Sequence, residues 1–254
     1  MDERVIRERR YWDEAYRAEG LNHEKYLWSR SISAVSYSED VFGDLLRGLR
    51  GKKVLTIGGG VDTVGVALAK NDNLVVSVDI SHQAALQTSR LARQSGVEKS
   101  LNAVVMNCEE MAFGAEFDAV VCKRALHHMN LARVIEQVRR SLADGGRFIA
   151  EEPVCLLKPL RWIHEKLPFH PDAPRTADEV EFAFEDLALI AGTFRAAQIH
   201  YIDFLTRESV KHFFWKARAG RLLRPLGRLD YALLNRRPTP LKYLSTYAII
   251  QAFK

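Results

Sequence analysis

The segment VLTIGGGVDTVGVALAK, residues 54–70, contains the features that decide the fold. It begins with apolar residues typical of a buried strand and continues with three glycines, 58–60. It then resumes with helical spacing over 63–70. Glycines at a strand-to-helix turn let the backbone approach a ligand closely and adopt positive φ. The segment therefore indicates a ligand-binding turn, or, in the simplest alternative, only a tight turn.

The alternation of strands and helices continues to residue 153. Further strands are predicted over 73–79, 101–106, 117–122 and 147–151, with helices over 81–94 and 131–142. Strands that alternate with helices pair in parallel through right-handed crossovers. The pattern predicts an α/β fold with a doubly wound, mainly parallel sheet.

Both ends of the chain add to this core. Residues 1–50 are expected to form a helical cover, 51–153 a cofactor-binding core, and 154–254 an insertion or lid after strand five that also completes the sheet. Two helices are expected within 156–189. QIHYIDFL at 198–205 predicts a sixth strand, and TYAIIQAFK at 246–254 predicts a last strand that inserts into the sheet.

Composition limits the class of protein. The 254 residues are 47% hydrophobic and 27% charged, with a net charge of +5, as in an ordinary globular protein. Three cysteines without CxxC or metal-like spacing argue against zinc and disulfides, so we expect no metal and a reducing, cytoplasmic setting. The charged N-terminus does not resemble a secretory signal, and no run of ~18 apolar residues predicts a membrane span.

An acidic residue ends the second strand. Asp79 follows Gly58 by about the 20 residues of the nucleotide-binding rule, where a carboxylate accepts hydrogen bonds from ribose hydroxyls. A dinucleotide is the less favoured ligand, because Thr63 occupies the position of the third glycine in G-x-G-x-x-G. The ligand is therefore expected to contain a nucleoside.

Five segments in order resemble motifs of the class I S-adenosylmethionine-dependent methyltransferase family. They are VLTIGGG, VVSVDIS, MNCEEMAF, FDAVVCKRALHHM and LADGGRFIAEEP, and the resemblance covers residues 53–153. It implies a Rossmann-like sheet of seven strands with the last antiparallel. It also implies S-adenosyl-L-methionine as cofactor and S-adenosyl-L-homocysteine as product.

The resemblance also implies which residues meet the cofactor. Asp79 would hold the ribose, and Asn107 and the backbone of Cys108 would meet adenine, with an ordinary loop as the alternative. Glu109 and Glu110 are expected to be solvated. The whole expected set of cofactor contacts is Gly58, Gly59, Gly60, Asp62, Asp79, Ile80, Asn107, Cys108, Cys122, Tyr11 and Arg30. Tyr11 and Arg30 have an alternative role in packing a covering helix.

Two residues depart from the family's first motif. Thr56 stands where the family has an acid, and Asp62 stands where it has a third glycine. One hypothesis is that Asp62 supplies the missing carboxylate to the ammonium of the cofactor's methionine moiety. The alternative is that Asp62 caps the following helix. A degenerate domain that no longer binds cofactor is a further alternative.

Three histidines are catalytic candidates. His127 and His128 form an adjacent pair, and imidazole accepts protons near neutrality. His164 lies in the insertion, where substrate lids of the family usually sit. The alternatives are a structural or positioning role for the pair and an exposed loop position for His164.

The segment 207–237 interleaves Lys and Arg with aromatic residues and leucines. It predicts a solvated basic face over an apolar packing face, or contact with a membrane surface or lipid-linked substrate. Nucleic acid is not expected as a partner, because no RNA-binding motif accompanies the segment.

The sequence thus predicts methyl transfer to a small-molecule or lipid-linked acceptor, with oxygen as the first choice of acceptor atom. The alternatives are an NAD(P)-binding oxidoreductase and a non-catalytic nucleoside-binding module. No Tyr-x-x-x-Lys stands near the fourth or fifth strand to support the oxidoreductase.

Overall fold

The computed structural model describes residues 2–18, 37–159, 162, 176, 179–207, 210–211, 213, 220–236 and 239–254. The main elements of these ranges, in chain order, are α1 (Glu3–Ala18), α2 (Tyr37–Arg47), β1 (Lys53–Ile57), α3 (Thr63–Lys70), β2 (Leu74–Asp79), α4 (His82–Gln94), β3 (Leu101–Val105), β4 (Phe117–Lys123), α5 (Leu131–Ser141), β5 (Leu142–Pro153), α6 (Phe184–Thr193), β6 (Ala196–Ile202), α7 (Leu223–Asn235) and β7 (Tyr247–Phe253).

The described strands form a seven-stranded sheet in the order β3-β2-β1-β4-β5-β7-β6. Strands β1 to β5 pair in parallel, whereas β7 is antiparallel to both β5 and β6. The expected doubly wound, mainly parallel sheet is confirmed. Its strand order reverses between β1 and β4, so a crevice opens beyond their carboxyl ends.

The last strand is inserted between β5 and the edge strand β6. Ile249 and Ile250 are both fully buried and belong to the two hydrophobic clusters on opposite faces of the sheet. Neighbouring residues of one strand point to opposite faces. β7 is therefore covered on both sides, which agrees with its mainly apolar sequence, YAIIQAF.

Some boundaries differ from the predicted ones. β5 starts at Leu142, which pairs with Phe117 before a register shift to the Ala119–Arg147 pair, and Gly145 has φ 75° within the intervening turn. β6 ends at Ile202 rather than residue 205, because Asp203 adopts φ 64° and leaves the strand direction.

The helical cover is described in part. α1 and α2 agree with the helices expected in residues 1–50, and α1 packs against α4. Of the two helices expected within 156–189, the described part shows helical residues at 158–159 and 162 and the start of α6; residues 163–175 lie outside it. The division at residues 50 and 153 remains a prediction. Within the described ranges, none of the helices combines the length and apolarity that a bilayer crossing requires.

We expect Ile250→Ala to lower the free energy of unfolding by about 2–5 kcal/mol, because it opens a cavity in the hydrophobic cluster on that face of the sheet. Urea denaturation measures the loss. Leu74→Ala is the control: Leu74 is also in a strand but is 62% exposed, so its loss should stay within about 0.5 kcal/mol. Equal losses would contradict the burial of β7 on both faces.

Candidate functional site

The glycine turn after β1 lies at the switch point of the sheet. Gly58 and Gly60 have φ of 63° and 57°, a region that side chains with a Cβ rarely adopt. A Cβ at Gly58 would overlap Ala125, and one at Gly60 would overlap the Tyr16 hydroxyl. The turn therefore requires glycine both for its backbone shape and for the close approach of its neighbours.

Asp79 ties this turn to the next strand. Its Oδ2 accepts a hydrogen bond from the Gly60 amide (2.9 Å), and its Oδ1 accepts one from the Ser81 amide (2.8 Å). Burial raises the pKa of Asp79 to about 6, against the effect of these two hydrogen bonds. The carboxylate is therefore ionised at neutral pH and held in a fixed orientation.

The loop after β3 forms a short 3₁₀ turn over Cys108–Glu110, and Asn107 caps it by accepting a hydrogen bond from the Glu109 amide. Glu109 was expected to be solvated, but it is buried. Its Oε1 accepts from Arg4 and from the Asn130 amide, whereas its Oε2 has no hydrogen-bond partner among the described residues. A buried acceptor is thus available in this loop.

These three features surround one cavity of about 100 Å³. It lies between α1 and the carboxyl ends of β1, β2 and β4. The lining residues are Arg4, Val5, Glu8, Trp12, Tyr16, Gly58, Asp79, Ile80, Asn107, Cys108, Glu109, Arg124, Ala125, His128 and Met129. The expected contacts Gly58, Asp79, Ile80, Asn107 and Cys108 are therefore brought together around it.

Comparison with known proteins agrees with this arrangement. Residues 55–150 match the family model described as "Methyltransferase domain". This segment is a class I methyltransferase domain. The family predicted from the five motifs is confirmed.

Relatives of known name extend over part of the chain. The chain is 30% identical to the ubiquinone biosynthesis O-methyltransferase of Psychrobacter arcticus over 113 residues. This stretch covers 43% of this chain and 41% of that protein. Over 114 residues the chain is 32% identical to that of Alkalilimnicola ehrlichii (43% and 45%). The chain thus spans less than half the length of these curated relatives.

Among solved structures, the chain is similar to geranyl diphosphate C-methyltransferase from Streptomyces coelicolor A3(2). The TM-score is 0.57 at 15% identity, over 85% of this chain and 80% of that one. At this identity the likeness establishes the fold.

The two departures from the first motif lie in direct contact in the methyltransferase domain. Asp62 accepts hydrogen bonds from the Thr56 hydroxyl and from Ser77 Oγ (2.7 Å), and its Oδ1 caps α3 through the Gly65 amide (2.6 Å). The residue is 2% exposed and lies outside the cavity lining. The geometry therefore favours helix capping over the hypothesised contact with the cofactor's ammonium.

α1 supplies the outer wall of the cavity. Asp13 Oδ1 accepts from Ser81 Oγ (2.7 Å), which holds α1 on the start of α4. Trp12 and Tyr16 line the cavity, whereas Tyr11 packs edge-on against Trp12 and is not part of the lining. The cavity that α1 encloses, about 100 Å³, is smaller than the about 300–1,000 Å³ of typical ligand pockets.

The adjacent histidines have different surroundings. His127 is buried, outside the cavity lining, with its Nδ1 2.7 Å from Glu152 Oε2. His128 lines the cavity and packs edge-on against Trp12. Burial, with the neighbouring His127, lowers the pKa of His128 to about 3, so its imidazole is neutral at physiological pH. Only His128 of this pair can touch a ligand in the cavity.

The remaining predicted residues divide into two groups. Gly59, Gly60 and Cys122 lie near the site but outside the lining. Burial raises the pKa of Cys108 and of Cys122, so both remain neutral thiols. Arg30 and His164 lie outside the described residues.

The motifs gave no signal for Arg124, which follows β4 with φ 57° and lines the cavity. Its Nε donates to Glu151 Oε1 (2.6 Å), and its guanidinium lies 4.4 Å from the centre of the Tyr247 ring. Burial acts to raise the pKa of Glu151, but the Arg124 and Lys123 charges outweigh it and hold that pKa below its usual value. A strained, ion-paired arginine therefore stands at the cavity. Its unusual φ is visible only in the folded chain.

We expect Asp62→Ala to lower the free energy of unfolding by about 2–4 kcal/mol. The substitution removes the helix cap and also the carboxylate to which the buried hydroxyls of Thr56 and Ser77 donate. Asp62→Asn keeps an oxygen for the Gly65 amide and should lose under about 1 kcal/mol. Thermal and urea unfolding compare the two. Equal losses would show that the cap does not carry the effect.

Proposed function

We propose that the protein is an S-adenosylmethionine-dependent methyltransferase that methylates a hydroxyl of a small or lipid-linked organic acceptor. The observation that carries the proposal is the cavity at the switch point, where the glycine turn, Asp79 and the Asn107 loop meet. Nucleoside ligands bind at this position in doubly wound sheets.

The residues present fit the cofactor in three respects. Asp79 offers an ionised carboxylate to the ribose hydroxyls, and Ile80 offers an apolar surface beside it. Asn107 and the Cys108 backbone are the candidates for adenine. Glu109 Oε2, which has no hydrogen-bond partner among the described residues, is a further buried acceptor for an amine donor.

The cofactor supplies an electrophilic methyl group on a sulfonium. The protein's task is then to hold the acceptor in line with that methyl group and to exclude water, since orientation provides much of the rate in such reactions. Trp12 and Tyr16 of α1 cover the cavity and would help to exclude water from it.

His128 and Arg124 are the candidates for orienting the acceptor. A neutral His128 accepts a hydrogen bond from a hydroxyl group, but its low pKa makes it a weak base. His127 acts through its neighbour as a positioning residue, held by Glu152. His164 and Arg30 remain predictions for the lid and for the methionine carboxylate.

Oxygen is the proposed acceptor atom because the curated relatives are O-methyltransferases by name, although the match covers less than half of them. We place the reaction in the cytoplasm, in keeping with three buried cysteines that are not joined in disulfides. Thermal shift distinguishes the alternatives: S-adenosylhomocysteine should stabilise the protein and NAD should not. Stabilisation by NAD would favour the oxidoreductase. If neither ligand stabilised the protein, a different binding module would be favoured.

We expect Asp79→Asn to weaken S-adenosylhomocysteine binding by about 10- to 100-fold, the equivalent of a lost charged hydrogen bond. The pKa of about 6 means that the carboxylate becomes protonated as pH falls below 6. Affinity of the unsubstituted protein should fall over that range, and the Asn variant should lack the dependence. Calorimetry measures both.

The control is Asp144→Asn, an exposed carboxylate in the turn after α5. It should bind as the unsubstituted protein does at every pH. If Asp79→Asn matched this control, Asp79 would not hold the ribose.

Methyl transfer itself is tested with methyl-labelled S-adenosylmethionine and a panel of phenolic acceptors, with and without prenyl chains. We expect a product heavier by one methylene unit, together with S-adenosylhomocysteine. Loss of product in Asp79→Asn but not in Asp144→Asn assigns the reaction to this site. Tight S-adenosylhomocysteine binding with no product from any acceptor would favour a binding module.

A further inference from the structure

One side of α7 is fixed to the body of the protein. Leu223, Gly227 and Leu234 are buried, and the helix packs on α2 and β6. A Cβ at Gly227 would overlap Tyr37, which shows how closely the helix approaches α2. Asp230 faces the same way and accepts hydrogen bonds from the Phe204 amide (2.9 Å) and the Thr206 hydroxyl (3.0 Å). The rotation of α7 about its axis is therefore set.

The opposite side of this segment is apolar and exposed. Leu222 and Leu229 are 51% and 53% exposed, and Pro225 and Ala232 are exposed as well. Their spacing of three, four and three residues places them in one stripe along a helix. A covering helix normally turns a polar face outward, so this stripe is not explained by packing of α7 on the sheet.

Arginines border the stripe. Arg221, Arg224 and Arg228 are exposed at the same helical spacing, and Arg236 is exposed beyond the last turn. Arg224 forms an ion pair with Asp40 of α2, with 2.8 Å between Nε and Oδ2. The single acid within 220–236 is Asp230, which is buried on the inner side. The outer side therefore combines exposed leucines with arginines and carries no acid of its own.

We propose that this surface, residues 221, 222, 224, 225, 228, 229, 232 and 236, docks α7 on an anionic membrane surface. Apolar side chains enter the boundary between headgroups and acyl chains, while arginines remain at the headgroups. The charge is complementary to acidic phospholipids, each nearby arginine strengthening the attraction. A solvated basic face, the alternative from the sequence, would turn its leucines inward.

Membrane docking is compatible with a lipid-linked acceptor, but the inference does not depend on methyl transfer. Its test uses vesicles, and the proposed function is followed separately through S-adenosylhomocysteine affinity. A protein without vesicle binding but with intact cofactor affinity would overturn the docking proposal alone.

The experiment is co-sedimentation of the full chain with vesicles of phosphatidylcholine alone and of equimolar phosphatidylcholine and phosphatidylglycerol. We expect binding to the anionic vesicles that weakens with salt. Leu222→Ser with Leu229→Ser should weaken it by at least about tenfold. Arg221→Gln with Arg228→Gln should weaken it by about 30-fold.

Matched controls carry the same changes on other elements. Leu74→Ser with Leu86→Ser replaces two exposed leucines of β2 and α4, and Arg133→Gln with Arg140→Gln replaces two exposed arginines of α5. Both should sediment as the unsubstituted protein does. Circular dichroism and S-adenosylhomocysteine affinity show that each variant is folded.

Three results would overturn the proposal: no binding to anionic vesicles, equal binding to both vesicle types, or equal losses in the α7 variants and their controls. Sedimentation velocity without lipid provides a further outcome. Self-association that the two serines abolish, without vesicle binding, would replace the membrane with a second copy of the chain as the occupant.

Discussion

The hydrogen bond from the Gly60 amide to Asp79 couples the glycine turn after β1 to the end of β2. Because the other carboxylate oxygen accepts from the Ser81 amide at the start of α4, one side chain holds three segments in register. The site depends on this arrangement, since the turn would otherwise lack a fixed position at the switch point. Holding an anion in a buried place has a cost, which is expressed in the raised pKa of Asp79.

α1 closes the site with side chains from outside the methyltransferase domain at 55–150. Arg4 pairs with the buried Glu109, and Asp13 caps the start of α4 through Ser81. Each of these contacts links the cover to a loop that the cofactor is proposed to touch. α1 therefore contributes both to the shape of the cavity wall and to the charged groups that line it.

Charged groups are also used differently near the interior strand β1 and near the edge strand β6. Near β1, the carboxylate of Asp62 is used inside the core to join α3 to Thr56 and Ser77. Near β6, Asp203 and Lys211 form a buried ion pair of 2.6 Å, and Asp230 fastens α7 beside them. With its acid turned inward, α7 is left with arginines and leucines on its outer side, the basis of the proposed membrane contact.

Local patterns in the sequence were sufficient for the alternation of strands and helices, the glycine turn and the place of Asp79. These features depend on the periodicity of apolar side chains and on the backbone preferences of residues such as glycine. Both can be recognised from residues that lie close together in the sequence. The insertion of the last strand was also predictable, because the strand pattern at 246–254 follows a sheet that already has five or six strands. Tertiary structure alone decided the roles of the ionisable groups. Glu109 is buried because Arg4 reaches it from α1, and Asp62 turns to the core because Thr56 and Ser77 meet it there. The energy of a charge depends on its burial and partners, and those partners come from segments far apart in the chain.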